Sequence, residues 1–267
     1  MTTEGFAPAK VNLSLHVTGQ RSDGYHLLDS LVVFADVGDR LWFDAGPRMA
    51  ITVTGPFAQG VPVDARNLVW RAAELSGWCG HITLEKNLPH GAGIGGGSAD
   101  AAAVLRAFGG GAQAVTLGAD VPVCLSGAPQ RMRGTGEVLE RVTGLPPLEI
   151  VLVNPGVAVP TGPVFAALRS KTNAVMSPAL PEWEDAQDFC RWLAAQRNDL
   201  EAPARALAPQ IDDVLNALDG ALLARMSGSG ATCFGLYSEG AQAQAARIAS
   251  AHPRWWVASG RVISSGG

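Results

Sequence analysis

The 267-residue chain has only four cysteines, Cys79, Cys124, Cys190 and Cys233, and no two of them lie close together in sequence. That scatter argues against a cysteine-built metal site and against a disulfide scaffold; it fits reduced thiols in a cytoplasmic protein. No run of eighteen apolar residues occurs, so no transmembrane helix is expected. The opening MTTEGFAPAKVN lacks a cationic end followed by an apolar stretch, so a signal peptide is not expected either. Basic tracts are missing and the formal charge is -4, which argues against nucleic acid as a partner. Overall charge cannot attract an anionic ligand here; local groups must do so. There is no internal repeat, and no low-complexity tract apart from glycine clusters.

Apolar residues make up 47% of the chain, enough for a substantial core, and the length allows one large domain or two ordinary ones. In FAPAKVNLSLHV, Val11, Leu13, Leu15 and Val17 alternate with Lys10, Asn12, Ser14 and His16, the pattern of an amphipathic strand. GQRSDGYH is a turn-rich loop, and LLDSLVVFADV, DRLWFDA and MAITVTG read as further strands. NLVWRAAELSG predicts a helix capped by Asn67 and stopped by Gly77. A strand, HITLEK, precedes a glycine loop and the helix SADAAAVLRAF. GGGAQAVT reads as a loose connector, LGADVPVCLSG as a helix start, and QRMRGTGEVLERV as a hairpin. Around TGLPPLEIVLVNPG the pattern restarts with Pro-rich punctuation, which places a domain boundary near residue 147, giving segments 1–147 and 148–267. Helices are predicted at about 182–196 and 199–219. A strand–glycine turn–strand unit (LLARMSGSGATCFGLYS), an Ala-rich helix and a strand near RWWVAS follow. Strands and helices mix without strict alternation, which predicts an α+β fold.

Residues 91–97 contain five glycines in seven positions, between a strand and a helix. Glycine is costly in conformational entropy, so such a cluster needs a local reason. Backbone N–H groups converging at a helix start bind phosphate, and glycines let the chain approach its oxygens closely. Ser98 adds a hydroxyl, and Ala99 to Ala103 are small apart from Asp100. A flexible loop without a ligand is the bland alternative. Two ligand classes compete with it. Gly91, Gly93 and Gly96 fit the dinucleotide pattern G-x-G-x-x-G, with Asp120 about 20 residues further on. The other class is a nucleoside triphosphate, but no Lys-Ser or Lys-Thr follows the glycines, so this is not a Walker A loop and any phosphate-binding lysine must come from elsewhere.

Four segments together, PAKVNLSL, LPHGAGIGGGSADAA, LGADVPVCLSG and MSGSGATCFGL, resemble the GHMP kinase superfamily of small-molecule kinases, related to galactokinase, homoserine kinase and mevalonate kinase. DGYH at 23–26 and the segments RNLVWRAAEL, RGTGEVLERV, VAVPTGPVF and QRNDLEAPA resemble the branch of that family whose small-molecule substrate carries a cytidine diphosphate, and the likeness covers nearly the whole chain. The resemblance implies a two-domain α+β fold, with a ribosomal-protein-S5-like amino-terminal domain, a ferredoxin-like carboxy-terminal domain and the site in the cleft between them. It implies ATP and Mg2+ as cofactors. It makes Asp120 the general base for the acceptor hydroxyl and puts Lys10 beside it. An ammonium about 4 Å from a carboxylate favours the ionised form by at most about 4 kcal/mol at an effective dielectric near 20.

By the same resemblance, Pro89, His90, Gly91, Ala92, Gly93, Ile94, Gly95, Gly96, Gly97, Ser98 and Ala99 cradle the ATP phosphates. Ser98 faces phosphate or Mg2+. Lys86 lies near the nucleotide, the alternative being an ordinary surface lysine at a strand end. Tyr25 stacks on the cytosine with Phe165 on its other side, His26 and Asn12 read polar edges, and Thr161 hydrogen-bonds nearby. SGSGAT at 227–232 closes the site as a second glycine turn, where a plain hairpin is the alternative. The connector between Phe108 and Leu117 is shorter than is usual in the family, and Ala99 replaces a common second serine. Other GHMP kinases, an NAD-dependent dehydrogenase and a non-catalytic nucleotide-binding module are the competing readings. The dehydrogenase requires a strand ending at Asp120, and a helix cap is the structural alternative for that residue.

Overall fold

The computed structural model describes residues 2–264. They separate into two compact units that interleave along the chain. The first comprises the start of the chain to Lys10, Gly38–His90 and Gly95–Gly127; the second comprises Val11–Val37, Gly91–Ile94 and the chain from Ala128 onward. Residue 147 lies inside the second unit.

Strand β1 (Thr3–Asn12) opens the chain and β2 (His16–Gln20) follows it. The two stretches read as separate strands around Ala35 to Arg40 are one 20-residue strand, β3 (His26–Ala45), which contributes to both units. In the first unit its carboxy-terminal part pairs antiparallel with β5 (Gly80–Glu85), from Arg40 opposite Glu85 to Ala45 opposite Gly80. β4 (Ala50–Thr54) pairs with β5 in parallel. Helix α1 (Leu68–Ser76) starts where expected: Asn67 accepts a hydrogen bond from the Val69 N–H, and Gly77 ends the helix in a left-handed conformation. Val69, Ala72 and Ala73 form its buried face. That face packs on α2 (Gly96–Phe108), whose alanines Ala99 and Ala101–Ala103 are buried and let the two helices approach closely. A 3-10 helix over Gly111–Thr116 replaces the expected loose connector and leads into α3 (Val121–Ser126).

In the second unit the amino-terminal part of β3 pairs with β2 and with β6 (Gln130–Gly134), which forms the expected hairpin with β7 (Val138–Arg141). A four-stranded antiparallel sheet holds β8 (Glu149–Asn154), β9 (Leu223–Met226), β10 (Cys233–Tyr237) and β11 (Trp256–Arg261) in the order β11-β8-β10-β9. Counted along the chain this is 4-1-3-2, the split βαβ order of the ferredoxin-like fold. Four helices connect β8 to β9: α4 (Thr161–Ala166), α5 (Ala186–Ala194), α6 (Glu201–Leu207) and α7 (Gln210–Ala217). The helix expected over 199–219 is thus two, because Pro209 has no N–H to continue the first. Helix α8 (Ala241–Ala251) joins β10 to β11. Their core includes Val151, Val153, Leu200, Ile211, Val214, Met226 and Ile248. Among the described residues no helix is long and apolar enough to cross a membrane.

The amphipathic reading of residues 10–17 needs correction. Both faces are buried: Lys10, Asn12, Ser14 and His16 are as inaccessible as Val11 and Leu13. Each polar group is therefore matched, as buried polar groups must be. His16 shows how. The Arg197 N–H donates to its Nε2 at 3.3 Å, and its Nδ1 lies 3.2 Å from the Ala174 carbonyl, which fixes the neutral Nδ1-protonated tautomer. Burial, followed by the Arg197 charge, holds the imidazole below its ordinary value of 6.5, against opposing pulls from the Ala174 carbonyl, Asp199 and Asp29. A lowered folded-state pKa stabilises the fold above pH 6.5 and loses that contribution as pH falls through the lowered value. Thermal midpoints measured between pH 7 and pH 5 should fall in the wild type, with a shallower fall in His16→Gln, whose amide can make both bonds without titrating. Equal slopes would show that His16 does not carry the effect.

Candidate active site

The glycine loop starts where β5 ends and finishes in the first turn of α2. Its flanks belong to the first unit and its tip, Gly91–Ile94, to the second. The sequence Gly-Ala-Gly-Ile-Gly has a physical division of labour. Gly91, Gly93 and Gly95 all have left-handed backbone angles, with φ of 56°, 75° and 65°. Ala92 and Ile94 between them are buried and anchor the loop. Gly95 is the residue before α2, and no side chain caps that helix. The amino-terminal N–H groups of a thirteen-residue helix are therefore left for another partner, and an anion suits them. Ser98, in the first turn, is half-exposed, while Ala99 is buried.

Lys10 and Asp120 meet beside this helix start. The Lys10 ammonium lies 2.8 Å from Asp120 Oδ2; the lysine side chain is 5% exposed and the aspartate 41%. The amine is held from below and the carboxylate is open to a ligand. Asp120 occupies the residue before α3, yet its side chain makes no capping hydrogen bond. Capping is thus not its role, and no strand ends there, as the dinucleotide reading requires. The stem of Lys10 runs along Gly95: a Cβ on that glycine would lie 3.1 Å from Lys10 Cβ and 3.4 Å from its Cε. Close approach as well as backbone angle therefore calls for glycine at 95. Cys124, one turn beyond Asp120, is kept protonated by burial, which pushes its thiol up to about 12, so thiolate chemistry is absent from this corner.

Lys86 is not at the surface. Its amine is buried between two carboxylates, hydrogen-bonding Asp39 and, at 2.7 Å, Asp100 Oδ2. The other Asp39 oxygen accepts the N–H groups of Asn87 at 2.6 Å and Leu88 at 2.8 Å. Burial pushes the Asp100 carboxyl up to about 8, against the pull of Lys86 and with the help of Asp39. The Lys86 amine thus sits between two acids, Asp39 and Asp100. His90, at the loop's entry, is exposed, and its Nε2 is 2.6 Å from the Phe57 carbonyl; Pro89 is half-buried.

In the second unit the loop tip docks on the turn Ser227–Thr232. Ser227 Oγ donates to the Gly93 carbonyl at 2.9 Å and accepts the Asn12 N–H at 3.0 Å. A Cβ on Gly93 would lie 2.5 Å from the Ser227 carbonyl. Asn198 steadies the turn by donating to the carbonyls of Met226 and Gly228, both at 2.8 Å. SGSGAT is therefore a seat for the tip of the glycine loop as well as a hairpin turn. Asn12 is buried and its side-chain amide donates to Ser30 Oγ at 2.8 Å. Thr161 Oγ1 is 2.9 Å from Ser229 Oγ. Tyr25 is 64% exposed. Phe165 stacks on His26, with ring centroids 4.5 Å apart, and not on Tyr25. Burial, and then Lys171, lowers the His26 pKa, and its buried Nε2 has no partner among the described residues. A neutral ring with an unused edge nitrogen and an exposed phenol two atoms of backbone away offers both a reading edge and a stacking face. Sequence reasoning missed Asp39 and Asp100; the one signal for the latter was a lone carboxylate amid alanines in a buried helix.

Comparison with known proteins identifies the family. Residues 67–113 match the model of the GHMP kinases N terminal domain, and residues 176–254 match that of the GHMP kinases C terminal. A protein of Dinoroseobacter shibae named 4-diphosphocytidyl-2-C-methyl-D-erythritol kinase is 59% identical over 95% of this chain and 93% of its own length. A protein of the same name from Paracoccus denitrificans is 57% identical over 95% and 94%. A crystal structure of 4-(cytidine 5'-diphospho)-2C-methyl-D-erythritol kinase superposes with a TM-score of 0.75 at 36% identity, covering 99% of this chain and 100% of that one. Homoserine kinase from Cytophaga hutchinsonii shares the fold, with a TM-score of 0.65 at 20% identity over 98% and 95%. The chain is a GHMP kinase and belongs to the 4-diphosphocytidyl-2-C-methyl-D-erythritol kinase family.

Proposed function

We propose that this kinase transfers the γ-phosphoryl group of ATP to the 2-hydroxyl of 4-diphosphocytidyl-2-C-methyl-D-erythritol, a step of non-mevalonate isoprenoid synthesis, in the cytoplasm. The observation that carries the reading is the Lys10–Asp120 pair at 2.8 Å with the lysine stem against Gly95, because it joins an acid and an amine to an uncapped helix start. The half-open Asp120 carboxylate takes the proton of the acceptor hydroxyl. Phosphoryl transfer has a loose transition state, so the proton is needed late and a strongly basic group is not required. Lys10 orients that carboxylate and lends positive charge to the phosphoryl oxygens in transit. Residues 89–99 hold the polyphosphate through backbone N–H groups. Among the described residues no three His, Cys, Asp or Glu side chains gather to hold a metal. This fits Mg2+, which keeps waters and takes most of its other ligands from nucleotide phosphates. The half-exposed Ser98 hydroxyl would be this chain's contribution, and the ion would neutralise phosphate charge. Tyr25, His26 and Phe165 hold the cytosine in this reading, and Thr161 and Asn12 position the neighbouring polar groups. Lys86 supports the loop from beneath. The division into family domains 1–147 and 148–267 belongs to the same proposal.

Incubation with ATP and, in parallel, the cytidine diphosphate substrate, homoserine, mevalonate and galactose should release ADP only with the first. Turnover with homoserine alone would sink the substrate assignment. Asp120→Asn and Lys10→Met should each lower kcat by about 100-fold or more while the Kd for ATP changes by less than about fivefold, as measured by steady-state kinetics and calorimetry. Near-wild-type turnover in either variant removes that residue from the mechanism. Gly95→Ala forces an L residue into the left-handed region, at roughly 1–2 kcal/mol, and pushes on the Lys10 stem. Its expected signature is a fall in kcat together with a rise in KM for ATP; unchanged values of both would show that the loop and Lys10 are not coupled.

A further inference from the structure

We propose that Asp39, Lys86 and Asp100 form a positioning strut, in which one buried amine ties the residues entering the glycine loop to the helix leaving it and so fixes the spacing of the N–H groups that bind ATP. The inference rests on the reading of residues 89–99 as the nucleotide cradle. Its parts come from three segments of one compact unit: Asp39 on β3, Lys86 just after β5, and Asp100 in the second turn of α2. All three are buried, with exposures of 0%, 4% and 3%. Asp39 holds the loop's entry through the N–H groups of Asn87 and Leu88. Lys86 links that carboxylate to Asp100. The first residue of α2 rests on the same group: a Cβ on Gly96 would lie 3.5 Å from Lys86 Nζ and 3.8 Å from Asp39 Oδ2. Both ends of the loop are thus fastened to one nitrogen.

A simple stabilising ion pair does not account for this arrangement. Buried ion pairs are often matched or surpassed in stability by apolar side chains of similar volume. One carboxylate would already neutralise Lys86. The second adds another buried carboxyl on the same amine, and burial penalises its charged form, a cost that stability alone would select against. What Asp100 adds is a connection to α2. Misplacing binding groups by about 1 Å from a distance can cost on the order of 100-fold in rate, so a strut of this kind is a plausible object of selection.

The test compares Asp100→Ala, Asp100→Asn and Lys86→Met with the wild type, by steady-state kinetics and by hydrogen exchange of the backbone amides of residues 87–99 with and without a non-hydrolysable ATP analogue. Asp100→Ala suits the Ala-rich helix and keeps it folded, whereas Asp100→Asn keeps an oxygen for Lys86. The expected result is a rise in KM for ATP of about tenfold or more in Asp100→Ala and Lys86→Met, with faster exchange in the loop and the KM for the cytidine diphosphate substrate within about twofold. Asp100→Asn should restore KM for ATP to within about threefold of the wild type. Loss of folded protein with unchanged KM values in the remainder, or equal defects in Asp100→Ala and Asp100→Asn, would overturn the strut. If Lys86→Met does not fold, the Asp100 pair still decides. Loop amides that gain no protection from the analogue in the wild type overturn the cradle and the strut together; protection there, with Asp100→Ala behaving as wild type, overturns the strut alone.

Discussion

Five glycines in seven residues carry almost no conformational information, so every angle the loop at 91–97 holds must be imposed from outside. That constraint governs this molecule. The loop is fastened at its entry by Asp39, at its exit by Lys86 and Asp100, and at its tip by the Ser227 hydroxyl. Ala92 and Ile94 add buried anchors between the left-handed glycines. Without those fixings the loop would sample many conformations, because glycine loses the most conformational freedom on ordering.

The same constraint explains where the amine beside the loop comes from. A Walker loop carries its lysine within the glycine run. Here β1 provides it, and the aliphatic stem of Lys10 lies against Gly95. The arrangement places an ammonium at the loop's exit without adding a side chain to the loop itself. It also means that a side chain at 95 would crowd the stem that carries the amine. Asp120 completes the group from the start of α3, where its carboxylate is free of capping duty.

Local rules were legible in the sequence and their coverings were not. The Asn67 cap and the Gly77 stop depend on neighbouring backbone only, and both stand as read. The strand–glycine loop–helix unit and the β6–β7 hairpin were legible for the same reason. Alternation over residues 10–17 correctly separated two faces but could not show that both would be covered; it reports direction, and burial depends on what packs from above. Pro209 was visible, yet apolar periodicity ran through it and concealed the break between α6 and α7. Lys86 at a strand end looks like a surface lysine because its two partners lie 47 positions before it and 14 after it. The pairing of Phe165 with His26 is likewise a long-range fact that neither residue announces.

Charge balance gives these contacts a common logic. A polyphosphate brings several negative charges to a protein whose own formal charge is -4, so each buried carboxylate near the loop must be neutralised or placed where it serves the reaction. Asp39 and Asp100 share the Lys86 amine, and burial pushes the Asp100 carboxyl up. Asp120 is the exception among the three: it stays half-exposed and accepts only Lys10. Of the three, Asp120 is the carboxylate left open to a ligand, and the two hidden ones hold the backbone that flanks the glycine loop. Geometry divides three identical side chains between buried support and an open face, and it does so through burial, which the residue type alone does not encode.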